Sequence, residues 1–166
     1  MPTPDSSPTL AAILPPVRRV VLRVRAQRAV NALVACALFS VGGTGLGLGL
    51  LKAHVIPAAG AELWLVGLGL FPLVGAIVAA LFPVGRLRAA SLLDQSHELN
   101  SRITSALEFG RLPAEERTDF MTAAMEDARA HVSHLSAARA FPFRIPPLIV
   151  PTILLGQLVV LIAFLE

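Results

Sequence analysis

Three long apolar stretches, residues 29–51, 63–84 and 148–165, limit what this chain can fold into. A helix needs about 20 apolar residues to cross the hydrocarbon core of a bilayer. With 55% hydrophobic residues and a mean hydropathy of +0.71, the 166-residue chain is too apolar for an ordinary soluble domain. Three spans take roughly 60 residues and leave one sizeable polar segment, 85–143. The pattern predicts an all-α membrane protein with three transmembrane helices (29–51, 63–84 and 147–165). A cytoplasmic antiparallel helical hairpin, 85–143, joins the second to the third.

The cations orient it. Of 14 Lys and Arg, only Lys52 falls between the first two stretches. Arg18, Arg19, Arg23, Arg25 and Arg28 precede the first stretch, and the other eight lie between the second and third. Positive charge near spans stays in the cytoplasm, so the N-terminus is expected inside and the C-terminus outside, in a bacterial inner membrane. Segment 85–144 carries eight Arg and eight acids and is balanced. The surplus therefore lies in the five N-terminal arginines, which are expected at anionic lipid headgroups. That balance, and the lack of an aromatic platform, argue against nucleic acid as a partner.

Pro2, Pro4, Pro8, Pro15 and Pro16 oppose regular structure, so 1–16 reads as a disordered tail and 17–28 as a short basic juxtamembrane helix. The first span holds two overlapping GxxxG patterns, Gly43/Gly47 and Gly45/Gly49. The second offers Gly75/Ala79. Small residues four apart let helices approach closely in lipid, although glycine is common in membrane helices in any case. The loop 52–62 with Pro57 and Gly60 makes a tight turn. Trp64 fits an interfacial anchor, Pro72 a kink, and Asn31 and Gln157 interhelical hydrogen bonds near span ends.

In 85–143, Leu92, Leu99, Ile103 and Ala106/Leu107 recur at helical spacing, as do Met121, Met125, Ala128, Val132 and Leu135. Two arms, each about 30–35 Å long, are expected. Ser91 and Asp94 fit a capping box, Glu98 and Arg102 an i,i+4 pair, Gly110 a helix C-terminus, and Pro113 with Glu115 and Glu116 the next helix start.

Chemistry has little to work with. His131/His134 is half a metal site, and His97-Glu98 lacks a second His. Leu33-Val34-Ala35-Cys36 has the outline of a lipoprotein signal. Its apolar lead is short, however, and the cysteine is followed by more apolar chain. Arg18-Arg19 with Leu22 resembles a twin-arginine signal only faintly, and a retained anchor fits better. The spans hold no Asp, Glu, Lys, Arg or His well inside them. No catalytic, metal or cofactor set is expected.

The most specific string is Leu93-Asp94, then Leu99, Arg102 and Ala106-Leu107-Glu108-Phe109. It resembles a signature near the start of large, poorly characterised bacterial envelope proteins. There, two spans, a cytoplasmic helical pair and a third span precede an extended periplasmic region. Phe120, Asp127-Ala128 and Pro142-Phe143-Arg144-Ile145-Pro146 resemble the same module's second helix and its return to the membrane. The likeness covers roughly residues 18–165 but lacks the periplasmic part, leaving a stand-alone subunit or the membrane end of a longer protein. It implies a non-enzymatic structural or assembly role in an envelope complex. Asp94, Glu98, Arg102 and Glu108 either dock a cytoplasmic partner or fix the hairpin's own register. A transporter or channel subunit that lines a pore only as an oligomer is the alternative, and the lipid bilayer, other membrane proteins or further copies are the expected partners.

Overall fold

The computed structural model describes residues 8–55, 59 and 61–164, without the side chains of Pro8, Ala61 and Glu62. Residues 1–7 of the expected tail, Pro57, Gly60, Leu165 and Glu166 lie outside the described residues. The described chain is helical: α1 (Pro8–Lys52), α2 (Ala61–Leu81), α3 (Arg86–His97), α4 (Arg102–Phe109), α5 (Asp119–His131), α6 (Ala137–Ala140) and α7 (Ile149–Phe164). Short 3-10 turns cover Ala114–Glu116 and Val132–His134. Two helices, over Thr9–Lys52 and Leu63–Leu81, are long and apolar enough to cross a membrane. The third apolar helix, α7, has 16 residues.

The chain divides into two compact units: Met1–Arg25 with Pro83–Phe143, and Ala26–Phe82 with Arg144–Glu166. Helix α1 contributes to both.

In the first unit the expected tail is corrected from residue 8 onward. Leu10, Ile13, Val17, Val20 and Val24 step by three and four along α1, and all are buried. They join Leu93, Ile103, Ala106, Leu107, Met125 and Ala128 in one core. Pro15 and Pro16 stand inside the helix, where an interior proline costs about 3 kcal/mol. Each buried Val, Leu or Ile returns roughly 1.5–3 kcal/mol. The apolar stripe on both sides of the prolines therefore outweighs their broken hydrogen bonds. A tail and a separate juxtamembrane helix become one continuous α1.

The two long arms of the expected hairpin are also corrected. The first breaks between α3 and α4, where Glu98, Asn100 and Ser101 all have positive φ (56°, 47° and 65°). The Glu98–Arg102 pair does not form, because the helix ends between them. Helix α3 starts at Arg86 with Gly85 at its N-cap, so Ser91 is interior and opens no capping box. Gly110 has φ −65°, an ordinary helical value. Its lack of a side chain serves packing instead: a Cβ there would lie 2.5 Å from Leu10 Cδ2. Pro113 precedes a 3-10 turn, and α5 begins later, capped by Thr118 Oγ1, which accepts from Met121 N at 3.3 Å.

In the second unit α2 lies antiparallel to α1. Leu68 faces Gly43, the Trp64 ring faces Gly47, and Gly75 faces Cys36. As α2 advances, α1 recedes in step. Helix α7 runs parallel to α1, with Leu155 against Gly42 and Val159 against Gly45. The overlapping glycine patterns thus serve two neighbours on different faces of α1. Among the described residues Gly49 has no side chain within contact distance, and Ala79 is half-buried.

Helix α1 ends in a Schellman arrangement, with Val55 N donating to Leu50 O and His54 N to Leu51 O, both at 3.0 Å. His54 holds the left-handed position. Gly47→Ala places a methyl group in the Trp64 ring and should cost about 1–3 kcal/mol of stability. Gly49→Ala should be neutral. Thermal unfolding of both variants in the same detergent checks the pair, and equal melting temperatures would contradict this packing.

Candidate functional site

The residues of the specific string meet around the break between α3 and α4. Asp94 is 4% exposed. Its carboxylate accepts from Ile103 N (2.9 Å) and Thr104 N (2.9 Å), and from Thr104 Oγ1 (2.6 Å). Those amides belong to the first turn of α4, which has no capping side chain of its own. Asp94 therefore caps the next helix from the end of the preceding one. A left-handed residue other than Gly costs roughly 1–2 kcal/mol. A hydrogen bond to a charged acceptor is worth about 1.5–3 kcal/mol, so three of them offset the strain at Glu98 and Ser101.

Arg102 Nε pairs with Asp127 Oδ2 at 3.2 Å, across from α4 to α5. Its Nη1 donates to His131 Nε2 at 2.9 Å, which leaves the His131 proton on Nδ1, facing Asp127 O at 2.8 Å. Arg102 and Asp127 side chains are 42% and 49% exposed, so the pair contributes at most about 1 kcal/mol. His131 is thereby committed to α4 and to its own helix. Among the described residues no group of three or more His, Cys, Asp or Glu could hold a metal.

His97 does similar work. Its Nε2 accepts from Ser136 N at 3.1 Å, and its Nδ1 faces Leu93 O at 3.1 Å. The ring ties the end of α3 to the N-cap of α6.

Of the four residues expected to dock a partner, Asp94 is thus buried as a cap and Arg102 is spent on α5. Glu98 and Glu108 are exposed. Among the lipid-headgroup candidates, Arg18 and Arg19 are exposed, and Arg25 and Arg28 are half-buried. Arg23, also half-buried, donates to Phe141 O at 3.4 Å.

Three polar residues carry more than sequence reasoning assigned them. Arg117 donates to Leu112 O (2.7 Å) and Gly110 O (3.1 Å), closing the carbonyls after α4. Gln27, 7% exposed, clamps the Arg144 backbone: its Nε2 donates to Arg144 O at 2.7 Å and Arg144 N donates to its Oε1 at 2.8 Å. Gln27 also donates to Asn31 Oδ1 at 3.0 Å, so Asn31 bonds within α1 rather than between helices. Lys52 Nζ donates to Ile162 O (3.0 Å) and Ala163 O (3.2 Å) at the end of α7, where a cation is favourable.

Asp94→Ala should destabilise the protein by about 2–4 kcal/mol, since it leaves buried donors unpaired. Glu98→Gly should stabilise it by roughly 0.5–1 kcal/mol by relieving the left-handed strain. Thermal or chemical unfolding reads both. An Asp94→Ala variant as stable as the parent would remove the capping role.

No protein-family model matches the chain, and no curated protein or solved structure matches it either.

Proposed function

We propose that the chain is a three-span, non-enzymatic subunit of a bacterial inner-membrane complex, with its N-terminus in the cytoplasm and its C-terminus in the periplasm. It packs against partner spans through its transmembrane helices and presents 85–143 to the cytoplasm. The partition of the arginines supports the orientation. The exposed apolar surfaces of α2 and α7 support lipid as their solvent. None of the apolar window of α2 is buried in the protein, as the core helix of a soluble domain would be. Helix α7 is short, roughly 24 Å against a core of about 30 Å, and short spans are met by local thinning of the bilayer.

The observation that carries the complex reading is Gln157. It is the ninth of the 16 residues of α7, not near an end, and it is exposed. The other polar residue of α7 is satisfied internally, with Thr152 Oγ1 donating to Leu148 O at 2.7 Å. Gln157 has no hydrogen-bond partner among the described residues. An amide at mid-span facing lipid is costly, and a polar group on a neighbouring helix relieves it. Among the described residues nothing covers Gly156 beside it, nor Gly49, Gly67 or Gly69. The small residues still free for outside partners are therefore these, while Gly43, Gly45, Gly47 and Gly75 are used within the chain. In the polar segment, Glu98, Glu108 and Phe120 (76% exposed) are the outward groups available to a partner.

Gentle purification should recover the chain with larger membrane proteins, and Gln157→Leu should weaken that association without loss of insertion. Recovery of the chain with no larger partner, together with solute flux in liposomes holding only this protein, would favour the oligomeric transporter or channel reading. For the orientation, a reporter active only in the periplasm should be silent when fused at Arg111 and active at Glu166. The reverse pattern would overturn the topology.

A further inference from the structure

A groove of about 730 Å³ opens in the first unit between α1 and the start of α3. Val17, Val21 and Val84 form apolar parts of its lining. Arg18, Arg19, Arg25 and Arg86 line it too, and among the described residues no carboxylate does. Arg18 and Arg25 stand seven residues apart, two turns along one side of α1. Arg86 is the first residue of α3. Among the described residues none of these four arginines forms a salt bridge. The Nε of Arg25 is enclosed and has no acceptor among the described residues. Buried donors are almost always paired, and among the described residues no nitrogen of the Arg25 guanidinium finds an acceptor.

We infer that this groove binds the phosphate of an anionic phospholipid, held by Arg25 and Arg86 with Arg18 beside them. The guanidinium fork matches the oxygens of a phosphate, and several forks on one anion favour it over a zwitterion. The apolar lining suits the glycerol and first acyl carbons, which a free anion would not need. Position along the chain agrees. Arg25 lies four residues before the first apolar stretch, and Arg86 five residues after the end of α2. Both belong at headgroup depth in a chain that spans the membrane, and the inference rests on that reading. It differs from a diffuse basic anchor: it brings in Arg86, and leaves out Arg23, whose guanidinium is already on Phe141 O.

The test is native mass spectrometry of the full chain released from detergent, titrated with phosphatidylglycerol, phosphatidylcholine or inorganic phosphate. One phosphatidylglycerol should be retained at least about tenfold better than phosphatidylcholine, and Arg25→Gln with Arg86→Gln should abolish that preference. Arg111→Gln with Arg129→Gln, outside the groove, should leave it intact. Arg25→Lys with Arg86→Lys keeps the charge but loses the forks, and should give an intermediate preference. This pair also serves if the glutamine variant does not fold. Equal retention of the two lipids, full preference in the lysine variant and the glutamine variant alike, or competition by inorganic phosphate at similar concentration would each overturn the proposal. Carbonate extraction of membranes separates the two levels. Protein released to the supernatant removes the membrane reading itself, whereas protein kept in the pellet without lipid preference removes only the site.

Discussion

Helix ends are the constraint on which both units depend. Every helix leaves amide donors at its start and carbonyl acceptors at its finish, and this chain closes many of them with side chains from elsewhere. Asp94 supplies the first turn of α4. Arg117 takes the carbonyls just beyond that helix. Gln27 holds both backbone groups of Arg144, ahead of α7, and Lys52 takes the last carbonyls of α7. Short helices such as α4, of eight residues, are marginal in isolation because nucleation is costly. Borrowed caps, together with one shared apolar core, are what hold them.

The specific string gains a physical meaning from this. Leu93 and Leu99 flank the turn and are buried, Asp94 caps, Arg102 reaches α5, and Ala106 and Leu107 complete the core. Its spacing is that of a helix–turn–helix junction stabilised from within. The string is therefore spent on the fold, and the outward-facing groups around it are not.

The glycines of α1 show the same economy in the second unit. Overlapping GxxxG patterns look like one face read twice. In the structure α2 covers Gly43 and Gly47 while α7 covers Gly42 and Gly45. At 100° per residue, positions two apart point to different sides of the helix. One glycine-rich stretch can therefore seat two helices at once.

Hydropathy and the arginine pattern made the helical class and the two long apolar helices legible in the sequence, because lipid-compatible composition is a property of consecutive residues. The apolar stripes at Ile103–Leu107 and Met125–Ala128 were legible too, as periodicity is local. The stripe Leu10, Ile13, Val17, Val20 and Val24 carried the same signal, but the prolines hid it. Whether two prolines break a helix depends on how much apolar surface its two sides bury, and that is decided only by the neighbours. The break at Asn100-Ser101 was not legible, because the apolar spacing of Leu92, Leu99 and Ile103 runs on across it. That it forms depends on Asp94 standing nine residues before the amide it caps. Which glycine meets which helix, and which arginine keeps a free guanidinium, follow from the packing of segments far apart in sequence. The chain alone determines what each segment can bury; only the tertiary structure decides what each polar group is left facing.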